Sequence, residues 1–330
     1  MAIEVSVIMP VRNGEAFVEL AVRSILLQSL GSFELIAIDD GSSDGTQSIL
    51  AAIAAGDTRV RLLSSGGRGI VEALNLGIMH SRSELIARMD ADDIALPDRL
   101  ERQIQFMRSH PGLVASGSSA VAIDVYGNET GTLDVPLDHA SLAARLVRGN
   151  ALIHPTMIMR KQSVVDAGLY RQASAYAEDY DLWLRLEEIG ELANLAEPTL
   201  KYRMHGGQVS KTKRLQQRAA AALAIQVALR RRSGKGEGVD MTKPTLFACS
   251  EFLNLRARET PPISPEEGPE LANMLRLARS ILPGNVVRTL VKRLKTEANL
   301  RRIVLLRIKL ALSGLRDLFI RPFHKQSGNS

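Results

Sequence analysis

Short apolar runs alternate with helix-like segments between residues 5 and 109, and this alternation restricts the possible folds more than any other feature of the chain. Four runs have the length and composition of buried strands: Val5–Met9, Phe33–Ile38, Val60–Leu63 and Leu85–Met89. The segments between them repeat apolar residues at helical spacing. Strands that alternate with helices are typical of βαβ units. We therefore predict an α/β fold with a mostly parallel sheet flanked by helices.

Aspartates follow two of these runs directly. Asp39 and Asp40 end the second run, and Asp90, Asp92 and Asp93 follow the fourth. The carboxyl ends of parallel strands meet at one edge of a sheet, where ligands of such folds bind. Carboxylates this close repel one another, and a divalent cation with a preference for oxygen relieves that repulsion. The pattern favours a site for a metal and a phosphate-containing ligand, and a strand followed by a capped turn is the alternative.

The pattern changes after residue 113. We predict a strand over Val121–Val125 that enters a hairpin, and an amphipathic helix over Asp179–Ile189 that begins with acidic residues. Acids at the start of a helix also complement its dipole, so capping is an alternative role for them. The remaining predictions are a helix at Leu142–Leu146, strands at Thr156–Arg160 and Thr199–Met204, and a helix at Gln216–Arg232.

Charge is unevenly distributed along the 330 residues. Residues 1–200 contain 16 Lys and Arg against 27 Asp and Glu, whereas residues 201–330 contain 26 against 9. We predict one domain at 1–210, followed by a helical, basic region at 211–330 that associates with a membrane or a partner. Within it, Leu300–Phe323 has an apolar stripe surrounded by basic residues, which suits either an anionic membrane surface or packing on the first domain. Few aromatic residues interleave these charges, so we expect no nucleic acid partner.

The composition also bears on the compartment. Cys249 is the sole cysteine, so an internal disulfide is excluded and a reducing compartment is favoured. No uncharged apolar run reaches the roughly 20 residues that cross a bilayer, and the first residues lack the pattern of a secretory signal. We expect a cytoplasmic protein, with peripheral attachment to the inner face of the cytoplasmic membrane if the basic region binds lipid.

Four motifs resemble the large family 2 of inverting glycosyltransferases, in the same order and over about residues 1–210. They are Val5–Gly14, Phe33–Thr46, Met89–Asp93 and Glu178–Leu186. The resemblance implies a GT-A nucleotide-binding fold for this domain. It also implies metal-dependent transfer of a sugar from a nucleotide-diphosphate donor, with UDP as the expected nucleotide. The acceptor would be a hydroxyl of a glycan or lipid-linked molecule in polysaccharide or glycoconjugate biosynthesis of the bacterial surface type.

The resemblance assigns the donor pocket to the ends of the first two strands. Asp40 matches the acid that accepts the uracil N–H, and Asp39 beside it supports the loop. Pro10, Val11 and Asn13 match the wall of the base pocket.

The resemblance also implies roles for the metal site and for the base. Asp92 of the Asp-x-Asp motif is the expected ligand of Mn²⁺ or Mg²⁺, and Asp90 would contact the metal or the ribose. His205 matches a histidine that some members use on the metal, and Asp93 would support the other acids. Asp179 matches the catalytic base that removes the proton of the acceptor hydroxyl.

Other residues keep two interpretations. Arg68 would contact the diphosphate or remain an exposed loop cation, and His154 would contact the acceptor or be a buried, hydrogen-bonded histidine. Arg12 stands where the family often has tyrosine, so stacking on the base is not expected there. Trp183 suits the core, and Asp181 suits a structural role.

Two other classes of protein compete with a transferase. A sugar nucleotidylyltransferase also uses a nucleotide-binding sheet with acidic metal ligands, but it should carry a basic, Gly-rich loop where this chain has Pro10–Glu15. A non-catalytic, membrane-docked scaffold would have no reason to keep Asp40, Asp90, Asp92 and Asp179 together.

Overall fold

The structure is a computed structural model that describes residues 2–205 and 214–234. Within them lie nine strands: β1 Val5–Val11, β2 Phe33–Asp39, β3 Val60–Ser64, β4 Leu85–Arg88, β5 Ile94–Ala95, β6 Leu113–Ile123, β7 Glu129–Leu133, β8 Ile158–Arg160 and β9 Glu191–Arg203. The same residues contain eight α-helices: α1 Val18–Leu26, α2 Thr46–Gly56, α3 Ile70–His80, α4 Arg99–Ser109, α5 His139–Leu146, α6 Lys161–Asp166, α7 Glu178–Leu186 and α8 Arg214–Arg232.

Strands β1 to β4 lie parallel in the order β3-β2-β1-β4, as predicted. Val11 pairs with Asp39, so the carboxyl ends of β1 and β2 lie side by side. Successive residues of a strand face opposite sides of the sheet. Ile8 therefore packs in one apolar core with residues of α3 and α7, whereas Val7 and Met9 pack in another with residues of α1 and α4. These two cores explain why helices cover both faces.

The sheet becomes mixed beyond β4. Strand β8 is antiparallel to β4 and β6, β6 is parallel to β9, and β5 and β7 add antiparallel pairs. The predicted α/β fold is confirmed, with β1 to β4 as its parallel part. Strand β6 begins at Leu113 rather than at Val121. Its Ser118 is buried: the hydroxyl pairs with Thr199 Oγ1 at 2.7 Å, and the backbone N–H donates to Thr156 Oγ1 at 3.1 Å. Such polar side chains hide the apolar pattern of a buried strand.

Helix α8 packs against α7. Its buried residues include Leu223, Ala224, Val227 and Ala228, and the two alanines join the core that contains α7. The helix predicted at Gln216–Arg232 is confirmed. The basic helix predicted within Leu300–Phe323 lies outside the described residues, and the domain boundary at residue 210 stays a prediction. Across 2–205 and 214–234, no helix combines the length and apolar character needed to cross a bilayer.

Candidate active site

Three aspartates leave the sheet at the end of β4. The strand is buried along its length, and the chain then turns into Asp90, Asp92 and Asp93. One carboxylate oxygen from each lies within 4.8 Å of the others. Burial, and then the charge of Asp90, raise the pKa of Asp92. The same two causes, with the charge of Asp92 added, raise the pKa of Asp93 well above its usual value. The cluster is therefore short of neutralising charge.

The end of β9 brings a histidine to this cluster. His205 Nε2 lies 2.9 Å from Asp92 Oδ2, and the His205 ring contacts Phe17 with centroids 5.7 Å apart. Arg203 holds the acid loop from the same strand: its backbone N–H donates to Asp93 Oδ1 at 2.8 Å, and its Nε donates to Asp92 O at 2.8 Å. The structure thus brings together the three residues predicted as metal ligands.

The residues present fit the expected cation. In the described part of the chain, Asp93 Oδ2 is buried without a hydrogen-bond partner. Asp90 and Asp92 offer carboxylate oxygens, which suit Mn²⁺ and Mg²⁺, and His205 offers an imidazole nitrogen beside them. Asp93 offers a further carboxylate oxygen in the same cluster. The role of each as a ligand stays a prediction.

Asp40 ties the end of β2 to the Gly-rich loop after β3. The residue is buried, and its Oδ1 accepts hydrogen bonds from Ser65 Oγ at 2.6 Å and from Gly69 N at 3.0 Å. Gly41, the next residue, has a φ of +71°, and a Cβ there would stand 3.0 Å from Gly67 Cα. Glycine is required because the two loops approach so closely.

The residues predicted to line the base pocket also lie at this edge. Pro10 and Val11 are the last residues of β1, beside Asp39 at the end of β2. Asp39 Oδ1 accepts from Ser42 N at 3.2 Å, so it supports the turn. Asn13, with a φ of +51°, donates its backbone N–H to Ser42 Oγ at 3.0 Å. These contacts connect the two strand ends, and contact with a nucleotide stays a prediction.

Two arginines stand at the surface of this edge. Arg12 Nη1 lies 3.7 Å from Asp40 Oδ2. Arg68 bonds within its own segment: Nε donates to Ser65 O at 2.8 Å, and Nη1 lies 3.1 Å from Glu72 Oε1. The Arg68 side chain is 62% exposed, so an anionic ligand can reach it. Its predicted contact with the diphosphate is still untested.

Helix α7 begins with two adjacent carboxyl groups, Glu178 and Asp179. Asp179 Oδ2 accepts from Asn150 Nδ2 at 2.8 Å, and Oδ1 accepts from Tyr180 N at 2.7 Å. Burial raises the pKa of Asp179. Burial, and then the charge of Asp179, raise the pKa of Glu178 to about 7, and Glu178 Oε2 is buried without a hydrogen-bond partner. An oriented carboxylate with a raised pKa suits proton removal.

Arg88 and Asn150 are polar residues of the site that the sequence patterns did not single out. Arg88 is 3% exposed, and its Nη1 lies 2.5 Å from Asp90 Oδ2. The sequence did mark Arg88 in one way: it is a cation inside an otherwise apolar strand, and a buried charge requires a partner. Asn150 lies in the loop after α5, and no local pattern marks it.

His154 and Asp181 have structural surroundings. His154 is buried, its Nε2 lies 2.7 Å from Tyr170 Oη, and burial lowers its pKa well below the usual value. The interpretation of a buried, hydrogen-bonded histidine is confirmed. Trp183 is fully buried beside it, and Asp181 pairs with Arg185 at 2.7 Å, as expected for a core and a structural residue.

Comparisons of sequence point to one family. The model of "Glycosyl transferase family 2" matches residues 6–169, a range that contains both acidic strand ends and stops before α7. The amylovoran biosynthesis glycosyltransferase AmsE from Erwinia amylovora is 33% identical over 195 residues, which are 58% of this chain and 73% of AmsE.

Two solved structures share the fold. S. aureus TarS 1–349 in complex with UDP-GlcNAc has a TM-score of 0.58 at 14% identity, over 94% of this chain and 92% of that one. The chain covers 50% of a longer TarS chain. The mannosyltransferase PcManGT from Pyrobaculum calidifontis, in complex with GDP-Man and Mn²⁺, has a TM-score of 0.51 at 18% identity, over 96% and 88%. At such identities the likeness concerns the fold alone, and the expected GT-A fold is confirmed.

Proposed function

This chain belongs to glycosyl transferase family 2, and we propose that it moves a sugar from a nucleoside diphosphate to a glycan hydroxyl with inversion. One observation carries the proposal. The ends of β4 and β9 bring Asp90, Asp92 and His205 together, and Asn150 Nδ2 and Tyr180 N hold Asp179 at the start of α7. The described residues thus contain both a cluster suited to a cation and an oriented carboxylate suited to proton removal. Inverting transfer needs a cation at the departing nucleotide and a base at the attacking hydroxyl.

The proposed donor is a UDP-sugar. TarS was solved with UDP-GlcNAc and PcManGT with GDP-Man, so the shared fold accommodates both nucleotides. Asp40 favours uridine through the resemblance described above. Because Asp40 Oδ1 already accepts from Ser65 and Gly69, Oδ2 is the oxygen that would accept the uracil N–H.

Asp92, Asp90 and His205 would hold Mn²⁺ or Mg²⁺. The raised pKa of Asp92 and the buried, unpartnered Asp93 Oδ2 support this role, and the PcManGT complex contains Mn²⁺. When bound, the cation supplies positive charge to the diphosphate as it departs. Arg203 contributes by holding the loop through Asp92 O and Asp93 Oδ1.

Asp179 would take the proton of the acceptor hydroxyl. Asn150 Nδ2 and Tyr180 N hold its two oxygens, so the carboxylate does not need to reorient. The deprotonated oxygen attacks the anomeric carbon on the face opposite the leaving group, and a single displacement of this kind inverts the configuration.

The proposed acceptor is a glycan or a lipid-linked molecule in polysaccharide biosynthesis, reached from the cytoplasm. AmsE is named for amylovoran biosynthesis. The basic residues of 279–330 would attract an anionic membrane surface, where lipid-linked acceptors lie. A nucleotidylyltransferase is less well supported, because the turn after β1 lacks a basic, Gly-rich loop.

The test uses the purified full chain with Mn²⁺ and a panel of nucleotide sugars. We expect slow hydrolysis of one donor that a chelator stops and added Mn²⁺ restores. Asp92→Asn should reduce this hydrolysis by at least about tenfold, because one ligand group is lost. The matched control is Asp98→Asn, which changes an acid that is 54% exposed and should have no effect. A chain that binds no nucleoside diphosphate in the presence of Mn²⁺ overturns the proposal.

A further inference from the structure

We infer that Arg88 is a positioning residue for both halves of this reaction: one guanidinium holds Asp90 on the donor side and presents its positive charge to Asp179 on the acceptor side. The inference rests on the proposed function, because it treats Asp179 as the base. Arg88 itself need not touch either substrate.

Arg88 is a buried cation with incomplete pairing. Arg88 is 3% exposed, and its Nη1 lies 2.5 Å from Asp90 Oδ2. Its Nε is buried and lacks a hydrogen-bond partner among the described residues. A guanidinium offers five N–H donors in a planar fork, so one ion pair uses part of its capacity. A buried cation of this kind is stabilised by further anionic groups nearby.

The alternation of side chains along β4 determines the side of the sheet on which Arg88 lies. Arg88 stands two residues after Ile86, so both side chains face the same side of β4. Ile86 belongs to the apolar core that contains Tyr180 and Trp183 of α7. Arg88 therefore lies on the face of β4 that α7 covers, and Asp179 stands in the first turn of that helix.

The electrostatics agree with this placement. Burial raises the pKa of Asp179 and of Glu178, and the charge of Arg88 lowers both. Groups that interact with Asp179 include Glu178 on its own helix, Asn150 from the loop after α5, and Tyr170 from the segment before α7. Burial raises the pKa of Tyr170, so it stays neutral, and Asn150 carries no charge. Arg88 is the cation in this set.

Other arginines that contact α7 lie elsewhere along it. Arg231 of α8 pairs with Glu188, just beyond the far end of α7, at 2.8 Å. Arg185 is buried and pairs with Asp181 at 2.7 Å. Its guanidinium donates to Asp181 Oδ2 and to Ala167 O rather than to Asp179. It is a matched control, because it is also a buried arginine with one carboxylate partner.

The experiment compares pH profiles of kcat/KM for the full chain at saturating Mn²⁺ with the donor that the panel identifies. Arg88→Met removes the positive charge near Asp179, so the pKa of Asp179 should rise. The low-pH limb of the kcat/KM profile should therefore move to higher pH. The charge of Arg88 lowers the pKa of Asp179, so the ratio of kcat/KM at pH 6 to that at pH 8 should fall below the wild-type ratio. Arg88→Lys keeps the charge and should retain most of the ratio.

The controls separate this role from a structural one. Arg185→Met should lower the thermal stability but leave the ratio unchanged. Arg88→Gln, which is also neutral, replaces Arg88→Met if that variant does not fold. In Asp90→Asn, Arg88 loses its anionic partner. The residual activity of this variant should therefore show a low-pH limb that lies at lower pH than that of wild type.

Two sets of outcomes distinguish the failures. An unchanged ratio in folded Arg88→Met or Arg88→Gln overturns the inference, and so does an equal fall in Arg185→Met. By contrast, a wild-type profile without a low-pH limb, or full transfer by Asp179→Asn, overturns the proposed base itself.

Discussion

Replacing Asp179 with asparagine tests the proposed base with a minimal change of shape. The new side chain keeps an oxygen to accept from Tyr180 N, which lies 2.7 Å from Oδ1. At the other position an NH₂ group replaces Oδ2 and faces Asn150 Nδ2, which lies 2.8 Å from that oxygen. Asn150 cannot reverse its amide without loss, because its Oδ1 accepts from Leu152 N at 3.2 Å. One lost hydrogen bond costs about 1 kcal/mol, so we expect a folded variant.

The effect on the rate should be far larger than the effect on stability. A positioned general base contributes about 10²–10⁴-fold, which corresponds to about 3–5 kcal/mol of the activation barrier. We expect kcat to fall by this factor while the Kd for UDP changes by less than about twofold, because Asp179 does not belong to the proposed donor pocket. Asn150→Ala keeps the carboxylate but removes one group that orients it, so a loss of about tenfold is expected.

The measurements are transfer kinetics, calorimetric titration of UDP in Mn²⁺, and thermal unfolding of each variant. Transfer by folded Asp179→Asn within tenfold of the wild-type rate would refute the assignment of the base. A folded variant that no longer binds UDP would instead move Asp179 to the donor side of the site.

Two further predictions concern stability. The pKa of Glu178 is about 7 in the folded chain and near 4.5 when it is exposed, so the folded state binds the extra proton and stability falls as pH rises through that interval. Glu178→Gln removes this loss. The free energy of unfolding in urea should exceed that of wild type by up to about 3 kcal/mol at pH 8 and should be unchanged at pH 4. An equal gain at both pH values would contradict the raised pKa of Glu178. Gly77→Ala should cost about 1–3 kcal/mol in urea unfolding, because the new Cβ would stand 2.6 Å from Ile8 Cγ2 where α3 packs on β1. Gly56→Ala, with no atom within 4 Å of the new Cβ, is the control that should not lose stability, and similar losses in both would argue against the packing explanation.

The site is assembled from both halves of the sheet. The parallel half supplies Asp40 and the acid cluster from the ends of β2 and β4. The mixed half supplies His205 from the end of β9, and α7 supplies Asp179. Arg88 at the end of β4 contacts Asp90, and in the proposed mechanism its charge also acts on Asp179.

Sequence alone determined the parallel half of the fold and the positions of its acids. Strands β1 to β4 are continuous apolar runs bounded by turn residues, and this pattern is local. Once the strands are parallel, Asp40 and Asp92 must emerge at the same edge. The resemblance to family motifs added Asp179 and His205, and the structure shows that His205 does reach Asp92.

Tertiary structure alone decided which polar groups meet. Asn150 reaches Asp179 across 29 residues of sequence, and Ser118 reaches Thr199 across 81, so neither pairing leaves a periodic trace in the chain. The charge of Arg88 was visible in the sequence, but its effect on Asp179 was not, because that effect depends on which helix covers this face of β4. Periodicity reports which side of an element is buried, whereas hydrogen bonds and ion pairs depend on distances that only the packed chain defines.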